Sequence, residues 1–178
     1  GGDRVGLFLF SNGVKEFITP KNGERHFHLL IDKLTDIETY GGITDIDKSL
    51  DFALQYLDKS IFSVIVISDF LRVTHETERK LTLISSKFET ILVRVRDPLD
   101  FTLPEVSGEV ALENPYTGQQ MVINPKVAKS AYEKYALAQS QAVEEIFKRT
   151  QADYLDLTTN KSFAVPLSIF LKGRLLRK

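Results

Sequence analysis

The chain has 178 residues, of which 43% are hydrophobic, and carries a formal net charge of -1. This length and apolar content suit a globular domain with a full core. The sequence contains no cysteine, which excludes disulfides and thiolate metal sites, and its balanced charge argues against nucleic acid as a partner.

An antiparallel β-hairpin is predicted at the start of the chain. Successive side chains from Arg4 to Phe10 would lie on alternate faces of a strand. Ser11-Asn12-Gly13 separates this run from a second one, Val14 to Thr19. Asn-Gly is typical of tight hairpin turns because both residues tolerate the positive φ that a primed turn demands. We expect Pro20 to close the returning strand.

Two amphipathic helices follow the hairpin. Apolar residues at helical spacing predict the first one: Phe27, Leu30, Ile31 and Leu34. After a loop from Thr35 to Thr44, the second helix covers about Ile46 to Leu57. Its three- and four-residue steps predict a buried face formed by Ile46, Leu50, Ala53, Leu54 and Leu57.

The run from Ile61 to Phe70 predicts a strand that ends at a serine and an aspartate. Six of its first seven residues are apolar, which indicates a strand buried on both faces in the centre of a parallel sheet. Asp69 then lies at the carboxyl end of that strand, where open α/β sheets bind ligands. The alternative is that Asp69 starts a loop or caps the next helix.

A parallel sheet is indicated by the elements after Asp69. A helix is predicted near Glu76 to Ser86, and a strand rich in β-branched residues from Thr90 to Val95. Strand, helix and strand in this order are typical of right-handed crossovers between parallel strands. The predicted fold class is therefore α/β.

The second half of the chain adds a small hairpin to this pattern. Val110 to Leu112 and Met121 to Ile123 flank a turn-forming segment, which predicts an antiparallel pair projecting from the sheet edge. The remaining elements are a long helix from Asn124-Pro125 to about Thr150, a strand at Tyr154 to Leu157 and a helix around Phe163 to Leu171.

No segment of the sequence predicts contact with a membrane. No apolar run approaches the roughly 20 residues that span a bilayer. The amino terminus also lacks the basic-then-apolar pattern of a secretory signal. We expect a cytoplasmic location, and because Gly1-Gly2-Asp3-Arg4 contains no initiator methionine, we interpret the chain as a piece of a longer protein.

Polar residues before the second helix form a second candidate site. Two glycines in Gly41-Gly42-Ile43-Thr44-Asp45 allow unusual backbone angles close to a ligand. The alternative is an ordinary helix N-cap at Thr44 or Asp45. Together with Ser68-Asp69, these residues supply the hard oxygen ligands that Mg²⁺ requires, although too few to hold the ion alone.

The order of several short motifs resembles one known family. These motifs are Gly2-Asp3-Arg4-Val5-Gly6-Leu7, Phe10-Ser11, Gly42-Ile43-Thr44-Asp45, Ile67-Ser68-Asp69-Phe70, Val95-Arg96-Asp97-Pro98, Tyr116-Thr117-Gly118 and Asp153-Tyr154-Leu155. Over essentially its whole length the chain is similar to the carboxyl-terminal part of domain-of-unknown-function family fifty-eight, whose proteins carry a von Willebrand factor A-like domain. The resemblance implies one Rossmann-like domain over residues 1–178, with an inserted β-hairpin and a first strand that lies upstream of Gly1.

The resemblance also implies roles for particular residues in an adhesion-type metal site. Thr44 takes the place of the metal-binding threonine and Asp69 that of the aspartate, with Asp45 and Ser68 beside these ligands and not in contact with the ion. The Asp-x-Ser-x-Ser element of such sites is absent, since Asp47-Lys48-Ser49 lies inside a predicted helix and lacks the second serine. We expect Mg²⁺ in the longer protein and no tightly bound ion in this chain.

The function implied by the resemblance is non-enzymatic. It is a protein-interaction module that acts with a MoxR-type AAA+ ATPase in the assembly or maturation of other proteins. An acidic residue of the partner would complete the coordination shell of Mg²⁺. A second copy of the chain is a further candidate partner, because an exposed strand edge can pair with another copy.

A receiver-like or phosphoryl-transfer protein with Asp69 as phosphoacceptor is the alternative. Such sites need further acidic residues and a lysine on a later strand, whereas the later strand here ends in Arg96-Asp97-Pro98. The sequence has no Walker A or Asp-x-Asp motif, and its histidines lack zinc-site spacing. A stable adduct on Asp69 after incubation with acetyl phosphate would favour this alternative.

Overall fold

The computed structural model describes residues 2–113 and 118–176 of the chain. The chain divides into two compact units, one ending at Leu57 and the other beginning at Asp58. The prediction of a single von Willebrand A-like domain is not tested by this division and stays a prediction.

The first unit is a β-hairpin followed by two helices, as predicted. Its elements are β1 (Val5–Phe10), β2 (Val14–Lys21), α1 (Glu24–Thr35) and α2 (Ile46–Tyr56), with a short 3-10 helix at Ile37–Thr39. Strands β1 and β2 pair antiparallel with a register shift between Val5 and Leu7. The prediction that Pro20 ends the strand is wrong, because β2 continues to Lys21. Proline is tolerated at such an irregularity in the ladder.

The turn of the hairpin differs from the primed turn that Asn-Gly indicates. Phe10 pairs with Val14, so three residues connect the strands. Neither Asn12 nor Gly13 has a positive φ. The amide of Ser11 instead donates to the carbonyl of Gly13 at 2.9 Å, a hydrogen bond inside the three-residue connection.

Aromatic stacking joins the hairpin to α2. The rings of Phe8 and Phe52 stack with centroids 4.8 Å apart, and Phe17 meets Phe52 edge-on at 5.4 Å. Tyr56 stacks on Phe52 at 4.1 Å. Aromatic pairs of this kind contribute about 0.5–1.5 kcal/mol each beyond the area that they bury. The predicted buried face of α2 is confirmed at Ile46, Leu50 and Ala53.

The second unit is built around a parallel three-stranded sheet flanked by helices. Its strands run in the order β3 (Ser63–Ser68), β4 (Glu89–Arg96) and β7 (Asp153–Thr158). The helices are α3 (His75–Ser85), α4 (Pro125–Arg149) and α5 (Ala164–Leu175), and a 3-10 helix follows β4 at Pro98–Asp100. The α/β class is confirmed. Fully buried side chains from α3, β4 and α4 form its core: Leu81, Ile84, Leu92 and Phe147.

The prediction that the run from Ile61 to Phe70 forms a strand in the buried centre of the sheet is wrong. Within the described residues, β3 pairs with β4 alone and lies at the sheet edge, whereas β4 is central. Ile65 and Ile67 point to one face and are 58% and 61% exposed. A continuous apolar run does not distinguish a strand covered on both faces by its own chain from one that leaves a face open.

Local sequence signals set the ends of the long helices. Thr74 and Thr77 form a capping box at the start of α3. The side chain of Asn124 accepts from the amide of Lys126 at 3.1 Å, and Pro125 occupies the first turn of α4. The threonine and asparagine side chains satisfy amide groups that have no partner inside the helix, and Pro125 has no amide that needs a partner.

The predicted hairpin of the second half is confirmed in its strands. Strand β5 (Val110–Glu113) pairs antiparallel with β6 (Gln120–Ile123) and forms a separate two-stranded sheet. Its tip, residues 114–117, lies outside the described residues. Among residues 2–113 and 118–176, no helix combines the length and apolar character that crossing a bilayer requires.

Candidate functional site

Asp69 lies at the carboxyl end of β3 with its side chain exposed. Its Oδ1 accepts from the amide of Leu71 at 3.2 Å and from the hydroxyl of Ser68 at 3.4 Å. The Ser68 hydroxyl oxygen accepts in turn from the amide of Phe70 at 3.1 Å. These bonds orient the carboxylate at the strand end and leave its Oδ2 without a hydrogen bond from the described residues.

The next residue, Phe70, adopts a left-handed backbone conformation with φ of 52°. A bulky side chain rarely adopts this conformation, which costs about 1–3 kcal/mol. Its ring is 1% exposed and meets the ring of Phe147 edge-on, with centroids 4.8 Å apart. Burial of this ring holds the strained backbone, so the chain turns with the ring inside and the Asp69 carboxylate outside.

In the first unit, the loop before α2 lies against the turn of the β-hairpin. Gly41 and Gly42 have φ of 111° and 88°. A Cβ on Gly42 would stand 3.6 Å from the hydroxyl oxygen of Ser11. The amide of Asp45 donates to the carbonyl of Ser11 at 2.7 Å. Glycine is required here because the backbone is left-handed at two successive positions.

Asp45 is the N-cap of α2, which confirms one of the two roles that the sequence left open. Its Oδ1 accepts from the amide of Lys48 at 3.1 Å, and its Oδ2 lies 3.3 Å from the Lys48 ammonium group. Thr44 precedes it and is half-buried. The cap satisfies one free amide of the helix, and the carboxylate also favours the positive end of the helix dipole.

The two predicted metal ligands belong to different units. Thr44 is in the first unit and Asp69 in the second. No group of three or more His, Asp or Glu side chains within residues 2–113 and 118–176 could hold a metal ion. A hydroxyl and a carboxylate do not fill the octahedral shell of Mg²⁺. The pairing of these two residues stays a prediction.

Two buried arginines on β4 were not identified as functional candidates from the sequence. Arg94 is 1% exposed and forms ion pairs with Asp156 on β7 and Glu144 on α4. Arg96 is 7% exposed and forms no ion pair with any described residue. The signal was present, because charged residues at alternate positions interrupt an otherwise apolar central strand.

Curated proteins similar to this chain come from mycobacteria. An uncharacterized protein of Mycobacterium tuberculosis is 24% identical over 178 residues, covering 98% of this chain and 55% of its own length. A Mycobacterium bovis protein matches to the same extent. The chain therefore spans about half the length of the first of these relatives. An uncharacterized Mycobacterium avium protein is 27% identical over 132 residues, covering 73% of this chain and 76% of its own length.

Two crystal structures share the fold of this chain at low sequence identity. The conserved hypothetical protein BatB from Bacteroides thetaiotaomicron superposes with a TM-score of 0.55 and 11% identity, covering 100% of this chain and 82% of that one. An aerotolerance-related membrane protein from Bacteroides fragilis gives a TM-score of 0.55 and 14% identity, covering 97% of this chain and 81% of that one.

Family membership is shown by the sequence. The profile of the family described as "Protein of unknown function DUF58" matches residues 1–142, which is most of the chain. The matched range contains the loop before α2, the end of β3 and all of β4. The chain belongs to the DUF58 family.

Proposed function

We propose that this chain is a non-enzymatic protein-interaction module. The observation that carries the proposal is α5, a helix of 12 residues with no buried side chain. Val165 is 63% exposed, Ile169 66% and Leu175 74%. Large apolar side chains that are exposed together on one helix are typical of a surface that another segment or protein covers.

The outer edge of the main sheet supports the same proposal. Strand β3 pairs with β4 alone among the described strands, and Ile65 and Ile67 are exposed on one of its faces. A free strand edge can accept a further strand from another segment or from a partner. This edge and α5 both belong to the second unit.

The partner that we propose is a MoxR-type AAA+ ATPase, as the family resemblance implies. In the longer protein, Thr44 and Asp69 would contribute two oxygen ligands to Mg²⁺. The remaining oxygens would come from outside this chain, including an acidic residue of the partner. The exposed, oriented carboxylate of Asp69 is consistent with this role.

A binding assay on the whole protein tests this proposal. A purified MoxR-type ATPase is titrated onto it by surface plasmon resonance, with Mg²⁺ and with EDTA. We expect Ile169→Ser together with Val165→Ser to weaken binding at least about tenfold, because two exposed apolar anchors are lost. We expect Asp69→Ala to abolish the difference between Mg²⁺ and EDTA.

Matched controls separate these effects from general damage to the protein. Asp32→Ala changes an exposed carboxylate on α1 and should leave the Mg²⁺ dependence intact. Unchanged binding by the double α5 variant would contradict the interaction surface. The absence of any Mg²⁺ effect on the unaltered protein would contradict the metal role, and a covalent phosphate on Asp69 would favour phosphoryl transfer instead.

A further inference from the structure

A cavity of about 210 Å³ opens at the carboxyl ends of β4 and β7. Its lining includes Arg96 from the end of β4, and Asp156 and Thr158 from the end of β7. Lys161 and Ser162, from the connection between β7 and α5, complete the polar part of the wall. None of these residues belongs to the predicted metal site, and all of them lie in the second unit.

Arg96 is the cationic residue that the end of β4 contributes to the cavity wall. Its side chain is 7% exposed, and its buried Nε has no hydrogen-bond partner among the described residues. The guanidinium carbon lies 3.9 Å from the centroid of the Phe101 ring, which supports the cation from one side. Ring contact does not satisfy the Nε–H donor, so this buried donor lacks the hydrogen bond that such a group normally forms.

The surroundings of Arg96 act on its pKa in both directions. Burial, and after it the positive charge of Arg94, lowers the pKa of Arg96 below its ordinary value. The carboxylates of Asp156, Asp100 and Glu144 raise this pKa, but by less. Asp156 is the carboxylate in the cavity wall, but Arg94 binds it through Nε and, at 2.8 Å, through Nη2. Asp156 is therefore engaged by Arg94, which also pairs with Glu144. Arg96 remains a buried cation without a bound counter-charge.

A short turn brings a second cation to the same cavity. The amide of Thr159 donates to the carbonyl of Arg96 at 3.0 Å, and its hydroxyl donates to Asp97 at 2.9 Å. The amide of Lys161 donates to the carbonyl of Thr158 at 3.2 Å. These bonds hold the turn against the end of β4. Lys161 forms no ion pair within the described part of the chain.

We propose that this cavity binds a phosphate group, with Arg96 and Lys161 as its two cationic contacts and the hydroxyls of Thr158 and Ser162 as further donors. Two cations match a doubly charged phosphate better than a singly charged carboxylate. The cavity is smaller than the roughly 300–1,000 Å³ of sites for drug-sized ligands, which suits one small oxyanion. The site is independent of the proposed protein-interaction function.

Titration with inorganic phosphate tests the site directly. The whole protein is titrated by isothermal calorimetry at constant ionic strength, with chloride and acetate as the competing anions. We expect saturable binding of phosphate and at most weak binding of acetate. Bound phosphate should also raise the melting temperature as its concentration exceeds the dissociation constant. Phenyl phosphate, in a parallel arm, distinguishes a monoester from free phosphate as the preferred ligand.

Two variants assign the binding to the cavity. Lys161→Gln removes an exposed ammonium group and should weaken phosphate binding about three- to tenfold. Arg96→Lys keeps the buried charge but removes the planar fork, and should weaken binding about tenfold or more. Lys172→Gln, on an exposed position of α5, is the matched control and should leave the affinity unchanged.

Each outcome decides for or against the phosphate site. Saturable binding that Lys161→Gln weakens and Lys172→Gln does not would support it. The site would be overturned if phosphate gave no more binding heat than the chloride reference. An equal loss of phosphate affinity in both lysine variants would also overturn it. Acetate bound as tightly as phosphate would overturn the assignment of phosphate as the ligand. If Arg96→Lys fails to fold, Lys161→Gln alone still decides, because its side chain is at the surface.

Discussion

The guanidinium of Arg94 binds the carboxylate of Asp156 across the register of two parallel strands. Arg94 on β4 stands opposite Asp156 on β7 and donates to both carboxylate oxygens. Glu144 on α4 accepts from the same guanidinium at 3.2 Å. Burial by itself lowers the pKa of Arg94, but these contacts outweigh it and leave the pKa raised above its ordinary value. One buried cation thus connects β4, β7 and α4.

Loss of this pairing should destabilise the protein. Asp156→Asn leaves the buried guanidinium with Glu144 as its remaining carboxylate, and we expect a loss of about 2–3 kcal/mol in the free energy of unfolding. Urea denaturation measures the change. Glu145→Gln is the control, because it removes an exposed ion pair with Lys148 on the same helix and should have little effect. Equal midpoints for the two variants would contradict the role of Asp156.

The ion pair between α3 and α4 should make stability depend on acid pH. Hydrogen bonds from Arg149, at 2.8 and 3.1 Å, lower the pKa of Glu78 below its ordinary value of 4.5. A lowered folded pKa means that the pair stabilises the fold above the unfolded pKa. This stabilisation is lost as pH falls through the folded value.

Urea denaturation at several pH values measures this dependence. Glu78→Gln should be less stable than the parent protein near pH 7, and the difference should shrink towards zero near pH 3. His75, whose Nδ1 is 3.5 Å from Glu78, is replaced by Asn in both proteins so that the comparison concerns the Glu78 carboxylate and its bond to Arg149. A difference that stays constant across this range would show that Glu78 stabilises the protein by a means other than its charge.

The buried ring of Phe70 should hold the strand end that carries Asp69. Phe70→Ala removes a ring that is 1% exposed, and we expect a loss of about 3–5 kcal/mol in stability, as for other buried phenylalanines. Phe62→Ala, at a side chain that is 72% exposed, should cost far less. Thermal unfolding followed by circular dichroism distinguishes the two, and similar melting temperatures would contradict the packing argument.

Two glycines of the hairpin should respond in opposite ways to alanine. A Cβ on Gly6 would stand 2.8 Å from the carbonyl oxygen of Ile18, so Gly6→Ala should cost about 1–3 kcal/mol through strain. A Cβ on Gly13 meets nothing within 4 Å, and its φ is not positive. Gly13→Ala should therefore be neutral or stabilising by up to about 1 kcal/mol. Urea midpoints that change in the same direction for both would contradict this difference.

The secondary structure was largely predictable because its signals are local. The Asn124-Pro125 start of α4, the strand at β4 and the paired strands β5 and β6 all follow from spacing and capping residues within a few positions. The N-cap at Asp45 was one of two roles open to the sequence, and the structure assigns it by one hydrogen bond to the amide of Lys48. The choice between a capping role and a ligand role for Asp45 depends on backbone angles, which cannot be read from the sequence.

The candidate sites were predictable only in part. The position of Asp69 after a β-branched run indicates a strand-end carboxylate, and the structure confirms that position. The left-handed backbone of Phe70 was not predictable, because it is held by contact with Phe147, 77 positions further along the chain. The sequence shows Arg96 as a charged residue in an apolar strand. Only the folded structure shows that its Nε lacks a hydrogen-bond partner and that a cavity lies beside it.

The sequence by itself determined the α/β class, the order of the elements and the absence of thiol chemistry, because periodicity and composition act over short distances. Tertiary structure decided that β4 and not β3 is central, and that Arg94 meets Asp156, 62 residues away. Strand order and long-range ion pairs depend on which surfaces meet after folding. A residue's neighbours along the chain carry little information about that choice.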